Sequence, residues 1–471
     1  MRQLFCTKNI TIILSLALFN FVFLSAEYLF DGMMAYVTDS QGVVHAQNFI
    51  LGASVIGFLG FPAFCRLCKK VDKYLVSFLC AIICAICLFF IYGHDSYGLT
   101  LTAGLICFAL FGIAGSAVCF YGAQTIVNRR QTAKVVGIAY ALGVFLQYLN
   151  NNLVKNQLFQ TTVIMTFMAV LLILLHLMNN NYVSLQKGDY EISDSTAPQA
   201  ANPKVAAVSL LLAVVFMTCI FSTLDNAVTL VHASGDFDIG QWPRLLLAVS
   251  GLAAGFLYDL WERKYMSIMM YVVTLLATIC IVVIEMGGTF VSGLILFYIS
   301  AGFFVVFFMT GFMDLSYQMR QPRIWAGIGR ATNNLCAVLT SAISVALLSS
   351  ANRMAILIVA LLFFAVINAA LFLYYAQIHE HTEKKEQLPQ DAVSLMSEEE
   401  RMEAFAQAFK LTVREREVLQ VLLRSEDNVQ EIAEELAISR AALYRHITSL
   451  NEKTNTKSRV GIMQFYYNWK K

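Results

Sequence analysis

Charge is scarce in this sequence: Asp, Glu, Lys and Arg make up 14% of its 471 residues, against about 25% in soluble domains. With 58% hydrophobic residues and a mean hydropathy of +0.65, an ordinary soluble globule is excluded. Proline is scarcer still, at six residues, which excludes a Pro-rich disordered or fibrous chain. No ATP-binding loop, phosphoacceptor receiver or catalytic triad is legible, so the sequence supports no hydrolytic or redox enzyme and calls for no cofactor. The 11 cysteines all fall in the first 336 residues. Cys80, Cys84 and Cys87 share one face of a hydrophobic helix and read as small apolar packing. Cys65 and Cys68 have a CxxC spacing on an internal loop, but no second Cys or His pair accompanies them. Zinc is therefore weakly supported, and redox sensing stays open as an alternative.

What the chain has in abundance is apolar runs. A membrane span needs about 20 predominantly apolar residues. Such stretches lie near 10–30, 43–64, 74–92, 98–121, 134–154 and 158–178, then near 205–224, 243–261, 266–286, 290–311, 326–350 and 355–376. The expectation is about twelve transmembrane helices in two sets of six. The first run is kept as a span rather than a cleaved signal peptide, because the even count requires it. Placing the N-terminus inside collects 16 Lys and Arg on internal segments and leaves only Lys155, Arg244 and Arg353 outside. This predicts cytoplasmic N- and C-termini in a multi-pass protein of a bacterial cytoplasmic (inner) membrane.

Charge is also uneven along the chain: residues 1–376 hold 19 Lys and Arg, and the last 95 residues hold the other 14. The predicted organisation is a first six-helix half (1–178), a connector (179–204), a second half (205–376), a linker (377–396) and a C-terminal domain with a leading helix (397–471). The connector, with QKGDYEISDSTAPQAANPK, and the stretch HEHTEKKEQLPQ both read as unstructured links. His379 and His381 read as a solvated interfacial patch rather than a metal site.

The halves are weakly similar. VVGIAYA at 135–141 matches WAGIGRA at 325–331 at Gly, Ile and the final Ala, each opening the fifth helix of its half. Two six-helix halves joined by a long loop resemble the major facilitator superfamily, whose G-x-x-x-D-x-x-x-R-K signature follows the second and eighth helices. The second copy is present as Gly255, Asp259, Arg263 and Lys264. The first copy is degraded: Gly60 is followed by Phe64 where the Asp belongs, then by Cys68 and Lys69. That resemblance covers residues 1–376 and implies a central cavity.

Residues 411–469 read as four short helices. Thr412 and Glu415 form a capping box at the first, Ile432, Ala433 and Leu436 face inward on the second, and Ser439 caps the third. The run Leu411, Thr412, Arg414, Glu415, Glu417, Val418, Leu419, then Glu431, Ile432, Ala433, Leu436, Ile438, Ser439, then His446, Lys453 and Arg459 resembles the LuxR-type (GerE-type) helix-turn-helix domain. The predicted fold class is therefore all-α: a polytopic, facilitator-like bundle of about twelve transmembrane helices plus a four-helix LuxR-type domain.

The resemblance implies double-stranded promoter DNA as a partner, with the third helix in the major groove. Tyr444, Arg445 and Thr448 then face base edges, and Ser439 and Arg440 open that helix. Lys453, Lys457 and Arg459 fit phosphate contacts. It also implies a homodimer formed through the fourth helix, and RNA polymerase as a further partner. The chain departs from the family pattern at Ala442, Leu443 and Tyr444, where Thr-Val-Lys is usual, and at Val429 and Gln430. Residues 411–471 carry 10 basic and 8 acidic side chains, so binding as a monomer is expected to be weak and sensitive to salt.

In the membrane half, ionisable residues inside spans point to function. Glu27 is the clearest. Asp31, Asp225, Asn226 and Arg244 are expected at external helix ends, beside Asn150, Asn151 and Asn152. Gln147, Arg330, Asn333 and Asn334 are expected deeper, facing a cavity. The candidate ligand-binding set is Glu27, Asp225, Arg244, Gln147, Arg330, Asn333 and Asn334. The fourth span holds no ionisable residue, which together with the broken first signature favours a sensor over a pump. The sequence thus points to a membrane-bound transcription regulator that senses a small molecule, embedded in a lipid bilayer. A transporter whose tail regulates its own gene and a ligand-free membrane anchor are the rivals.

Overall fold

The computed structural model describes residues 4, 6–68, 73–187, 200–233, 242, 244–285, 290–349, 353–387, 398–424, 429–454, 456 and 458–469. It is all-α, with no strand among the described residues. The chain divides into two compact units, Met1–Thr382 and Glu383–Lys471.

In the larger unit the first half comprises α1 (Thr7–Met34), α2 (Ser40–Leu67), α3 (Lys73–Gly93), α4 (Tyr97–Thr125), α5 (Thr132–Leu153) and α6 (Gln157–Lys187). The second half comprises α7 (Pro203–Ala233), α8 (Arg244–Tyr258), α9 (Lys264–Glu285), α10 (Phe290–Ser316), the single turn α11 (Pro322–Trp325), α12 (Ile328–Ser349) and α13 (Arg353–Gln387). Among the described residues nine helices are long and apolar enough to cross a membrane, and the protein is a multi-pass membrane protein. α1 is enclosed on most sides, burying Phe19, Phe21, Phe23 and Phe30. α3 lies at the periphery and exposes Phe78, Ile82, Ile86 and Phe89, as a helix that is apolar all round does when lipid covers its outer face.

Polar side chains cap two of the helix starts: Asp39 accepts from the Gly42 amide (2.9 Å) at α2, and Ser96 from the Leu99 amide (3.4 Å) at α4. Two helices outrun the spans read from sequence. α6 continues to Lys187 and α13 to Gln387, taking in segments read as connector and linker. Neither extension contains Gly or Pro, so no helix breaker interrupts it. The connector's far end is pinned: the Ala201 amide donates to the Gln377 carbonyl (2.8 Å) and the Ala200 amide to Gln318 Oε1 (3.1 Å).

The halves meet along two seams, α5 on α8 and α2 on α12. At the first, Gly137 and Gly255 let the backbones touch: a Cβ on Gly137 would lie 2.6 Å from Gly255 Cα. Small residues at such crossings replace the hydrophobic drive that lipid removes.

The smaller unit has its own core. α14 (Glu398–Ala408), α15 (Val413–Arg424), α16 (Val429–Glu435), α17 (Arg440–Thr454) and α18 (Arg459–Asn468) bury Phe405, Leu419, Leu422, Ile432, Leu443, Leu450 and Ile462 together. α14 lies against α18, with Phe405 edge-on to Tyr466 and Trp469. One Arg401 nitrogen (Nη2) donates to the Tyr466, Tyr467 and Trp469 carbonyls, satisfying acceptors that a helix end leaves open.

Candidate ligand cavity and nucleic-acid interface

A cavity of about 170 Å³ opens in the middle of the membrane unit, between the two halves. α1 contributes Phe23, Glu27, Tyr28 and Asp31, α2 contributes Gln47, and α8 contributes Arg244. α12 contributes Arg330, Asn333 and Asn334, and aromatic rings of α7 and α10 close the walls. Five of the seven candidate ligand-binding residues, Glu27, Arg244, Arg330, Asn333 and Asn334, therefore line one space, with Asp31 beside them.

Each is held by a neighbour. Gln47 Nε2 donates to Glu27 Oε1 (3.2 Å), tying α2 to α1. Gln147 sits behind the wall and joins three helices: its Nε2 donates to the Leu24 carbonyl (2.8 Å), and its Oε1 accepts from Arg244 Nε (3.1 Å). Thr218 on α7 donates to Asn333 Oδ1 (3.3 Å), Asn333 Nδ2 to Asn334 Oδ1 (3.3 Å), and Asn334 Nδ2 to Ser54 Oγ (2.8 Å). That chain links α7, α12 and α2 across the seam. The Arg330 guanidinium lies over the Phe23 ring at 5.1 Å. The side chains of Asp225 and Asn226 are outside the described residues. Asn150 is buried at the end of α5 and does not line the cavity.

Sequence reading missed Gln47, Thr218, Ser222 and the aromatic walls. A single Thr or Gln in an apolar run leaves no periodic trace. The spacing of Thr218 and Ser222, one turn apart on α7, was the one available signal.

A second ionic site lies at the opposite end of α8. The Asp259 carboxylate accepts from the Ala133 and Lys134 amides (3.2 and 2.7 Å) at the start of α5, where the positive end of the helix favours an anion. Arg263 pairs with Asp259 and, through Nη2 at 2.9 Å, with Asp314 of α10. The intact signature copy thus couples the second half to the first half's α5. In the degraded copy Phe64 and Cys65 lie within α2, not on a loop, and border a larger cavity of about 520 Å³ between α2, α3, α4 and α6. Among the described residues no cysteine is in a disulfide. Among the described residues no group of three or more His, Cys, Asp or Glu side chains could hold a metal ion.

In the smaller unit, the capping box at α15 is formed as expected. The Thr412 amide donates to Glu415 Oε2 (2.7 Å) and the Glu415 amide to Thr412 Oγ1 (3.3 Å). The same carboxylate also accepts from Ser449 Oγ and Lys453 Nζ of α17, both at 2.6 Å. Burial raises the Glu415 carboxyl, and the hydrogen bonds from Lys453, Ser449 and Thr412 outweigh it, so its pKa falls to about 2. α16 ends with Ala437 at φ 51°. The Ile438 amide reaches back to the Ala433 carbonyl (2.9 Å) and the Ala437 amide to Glu434 (3.0 Å), a Schellman closure that sets the turn into α17. The Ser439 hydroxyl caps α17 by accepting from the Ala442 amide (3.2 Å).

α17 buries Leu443, Ile447 and Leu450 and exposes Tyr444, Arg445 and Thr448, with Ser439 and Arg440 exposed at its start. Tyr444 is 57% exposed. Lys453 differs from these, since its ammonium also donates to the Lys410 carbonyl (3.0 Å) and is engaged inside the unit. Arg459 is half-buried at the start of α18, and Lys457 is outside the described residues.

Residues 410–466 match the family of bacterial regulatory proteins of the luxR type (GerE), and the C-terminal unit carries a LuxR-type helix-turn-helix domain. No curated protein matches the chain. Among solved structures it is similar to the human organic anion transporter MFSD10 (TETRAN), at 16% identity and a TM-score of 0.54, covering 79% of this chain and 99% of that one. A bacterial homologue of the iron transporter ferroportin, in an outward-facing state, gives 14% identity and a TM-score of 0.49 over 80% and 100% of the two chains. The fucose:proton symporter FucP of E. coli gives 13% and 0.47 over 79% and 99%. At these identities the likeness is one of fold. The membrane unit has a facilitator-type transporter fold.

Proposed function

We propose that this chain is a membrane-bound transcription regulator, in which a small molecule bound in the central cavity controls DNA binding by the LuxR-type domain. One observation carries the reading: a single polypeptide joins a groove-reading helix-turn-helix to a transporter-type bundle whose cavity gathers charged and amide side chains from both halves. Neither of these folds is typically enzymatic.

On DNA, α17 enters the major groove with Arg445 forking onto a guanine, while Tyr444, Thr448, Ser439 and Arg440 complete the exposed face. Lys453 holds the reading helix to α15, and Lys457 and Arg459 contact phosphates. A homodimer forms through the part of α18 that α14 leaves open, where Tyr467 is 56% exposed, and RNA polymerase is the downstream partner. The membrane is the bacterial inner membrane, with both termini in the cytoplasm. Ligand acts by preferring one packing of the halves. Equal affinity for both packings shifts nothing, and moving the balance from 1:99 to 99:1 takes about 10⁴-fold preference. Tethering the domain to a surface raises its effective concentration for pairing.

The test is chromatin recovery of the full chain from cells. Enriched sites that vanish with Arg445→Ala are expected; no enriched site, or the same sites with the variant, would reject the reading. The cavity's charged residues also suit a transporter whose tail regulates its own gene. Substrate accumulation in vesicles that is lost with Glu27→Gln would favour that second reading.

A further inference from the structure

The wall of the central cavity has an unusual charge layout. Arg330 is only 8% exposed, and its Nε has no hydrogen-bond partner among the described residues. The Phe23 ring beneath it offers attraction to the charge but no acceptor for that N–H. A buried charged donor left in this way costs several kcal/mol, a cost that a bound anion removes. Arg244 supplies a second guanidinium, and Glu27 and Asp31 supply two carboxylates. Glu27 and Asp31 stand four residues apart and so share one face of α1.

A ligand with a single charge gains at one pair of these groups and loses at the other. At about 5 Å and an effective dielectric near 20, one like charge costs about 3 kcal/mol. A plain anion meets that cost at Glu27 and Asp31, and a plain cation meets it at Arg244 and Arg330. A molecule carrying both charges is attracted at each end and leaves the site's net charge unchanged. The rest of the wall is apolar and aromatic, with Phe221, Phe297, Tyr298 and Phe304. At about 170 Å³ the space is close to cavities of about 150 Å³ that accept benzene, so the body of the ligand is one ring or one branched aliphatic group.

We propose that the cavity takes a small zwitterion with an apolar side group, the chemistry of a free apolar amino acid. Its carboxylate sits on Arg330, and its ammonium points to Glu27 and Asp31. This deepens the reading of the cavity as the ligand site and rests on it.

The experiment uses the full chain in detergent, with thermal shift and equilibrium binding to four probes: leucine, phenylalanine, 3-phenylpropionate and phenethylamine. Leucine or phenylalanine is expected to raise the melting temperature, and the two singly charged probes to bind at least tenfold more weakly. Arg330→Gln should weaken zwitterion binding by about 30-fold or more, the effect of removing one partner of a buried charge pair. Glu27→Gln should do the opposite for 3-phenylpropionate and strengthen it, which no general loss of folding can produce. Equal or tighter binding of 3-phenylpropionate or phenethylamine to the unaltered chain overturns the proposal. So does the absence of binding by either amino acid, or unchanged affinity in Arg330→Gln. No DNA is present, so failure here leaves the regulator reading intact, and loss of chromatin sites would leave this binding result intact.

Discussion

Replacing Glu415 with Gln isolates the carboxylate that joins α15 to α17. The group is 4% exposed and accepts from Thr412, Ser449 and Lys453. A fall of its pKa from 4.5 to about 2 corresponds to about 3 kcal/mol of stability. The Lys453 side chain is 30% exposed, so solvent screening brings the expected contribution to about 2 kcal/mol. Because the folded-state pKa is depressed, this stability is complete above pH 4.5, falls as the pH drops, and is gone near pH 2. Urea unfolding of fragment 397–471, which has its own core, should give a difference of about 2 kcal/mol between native and Glu415→Gln at pH 7. That difference should shrink to less than half by pH 3. In thermal scans at pH 7 it amounts to about 8–16 °C for a domain of this size. Other carboxylates titrate alike in both proteins and cancel. A difference that stays constant from pH 7 to pH 3 would show that Gln loses packing rather than a charge, and the reasoning would fail.

Ala437→Gly should stabilise the same fragment by about 1 kcal/mol, since Ala holds a left-handed φ of 51° that glycine adopts without steric cost; an unchanged urea midpoint would refute this. Arg263→Gln leaves Asp259 and Asp314 without their shared cation and should destabilise the membrane unit by about 3–5 kcal/mol, read as a lower melting temperature of the full chain in detergent. Gly137→Leu drives a side chain into the Gly255 backbone and should lower that temperature too, whereas the same change at Gly60, where nothing lies within 4 Å, should not.

Legibility varied with the kind of physics involved. Apolar length pointed to about twelve spans, because lipid demands it, and nine helices among the described residues meet that length and apolarity. The ends of α6 and α13 were misread because Lys, Glu, Gln and Asn look like loop by polarity although they carry no helix breaker. The capping box at Thr412 and Glu415 was readable because its partners stand three residues apart. The bond from Glu415 to Lys453 was not, since it joins residues that only the tertiary fold brings together. Glu27, Arg244 and Arg330 stood out as charges among apolar neighbours, whereas Gln47 and Thr218 had no such contrast. Gln147 was singled out as a polar group inside a span, and it stands behind the cavity wall, where it holds Arg244.

The two seams between the halves are not alike. Asp259, Arg263 and Asp314 fasten α5, α8 and α10 with buried ions, while Phe64 stands where the matching carboxylate would have been and, among the described residues, no ion pair joins α2 to α11 or α12. Parting α5 from α8 at that end would break buried ion pairs, whereas parting α2 from α12 would break the Asn334–Ser54 hydrogen bond and otherwise slide apolar surfaces. The bundle is thus a door with a catch on one jamb only, so that any opening along α5 and α8 would cost more than one along α2 and α12.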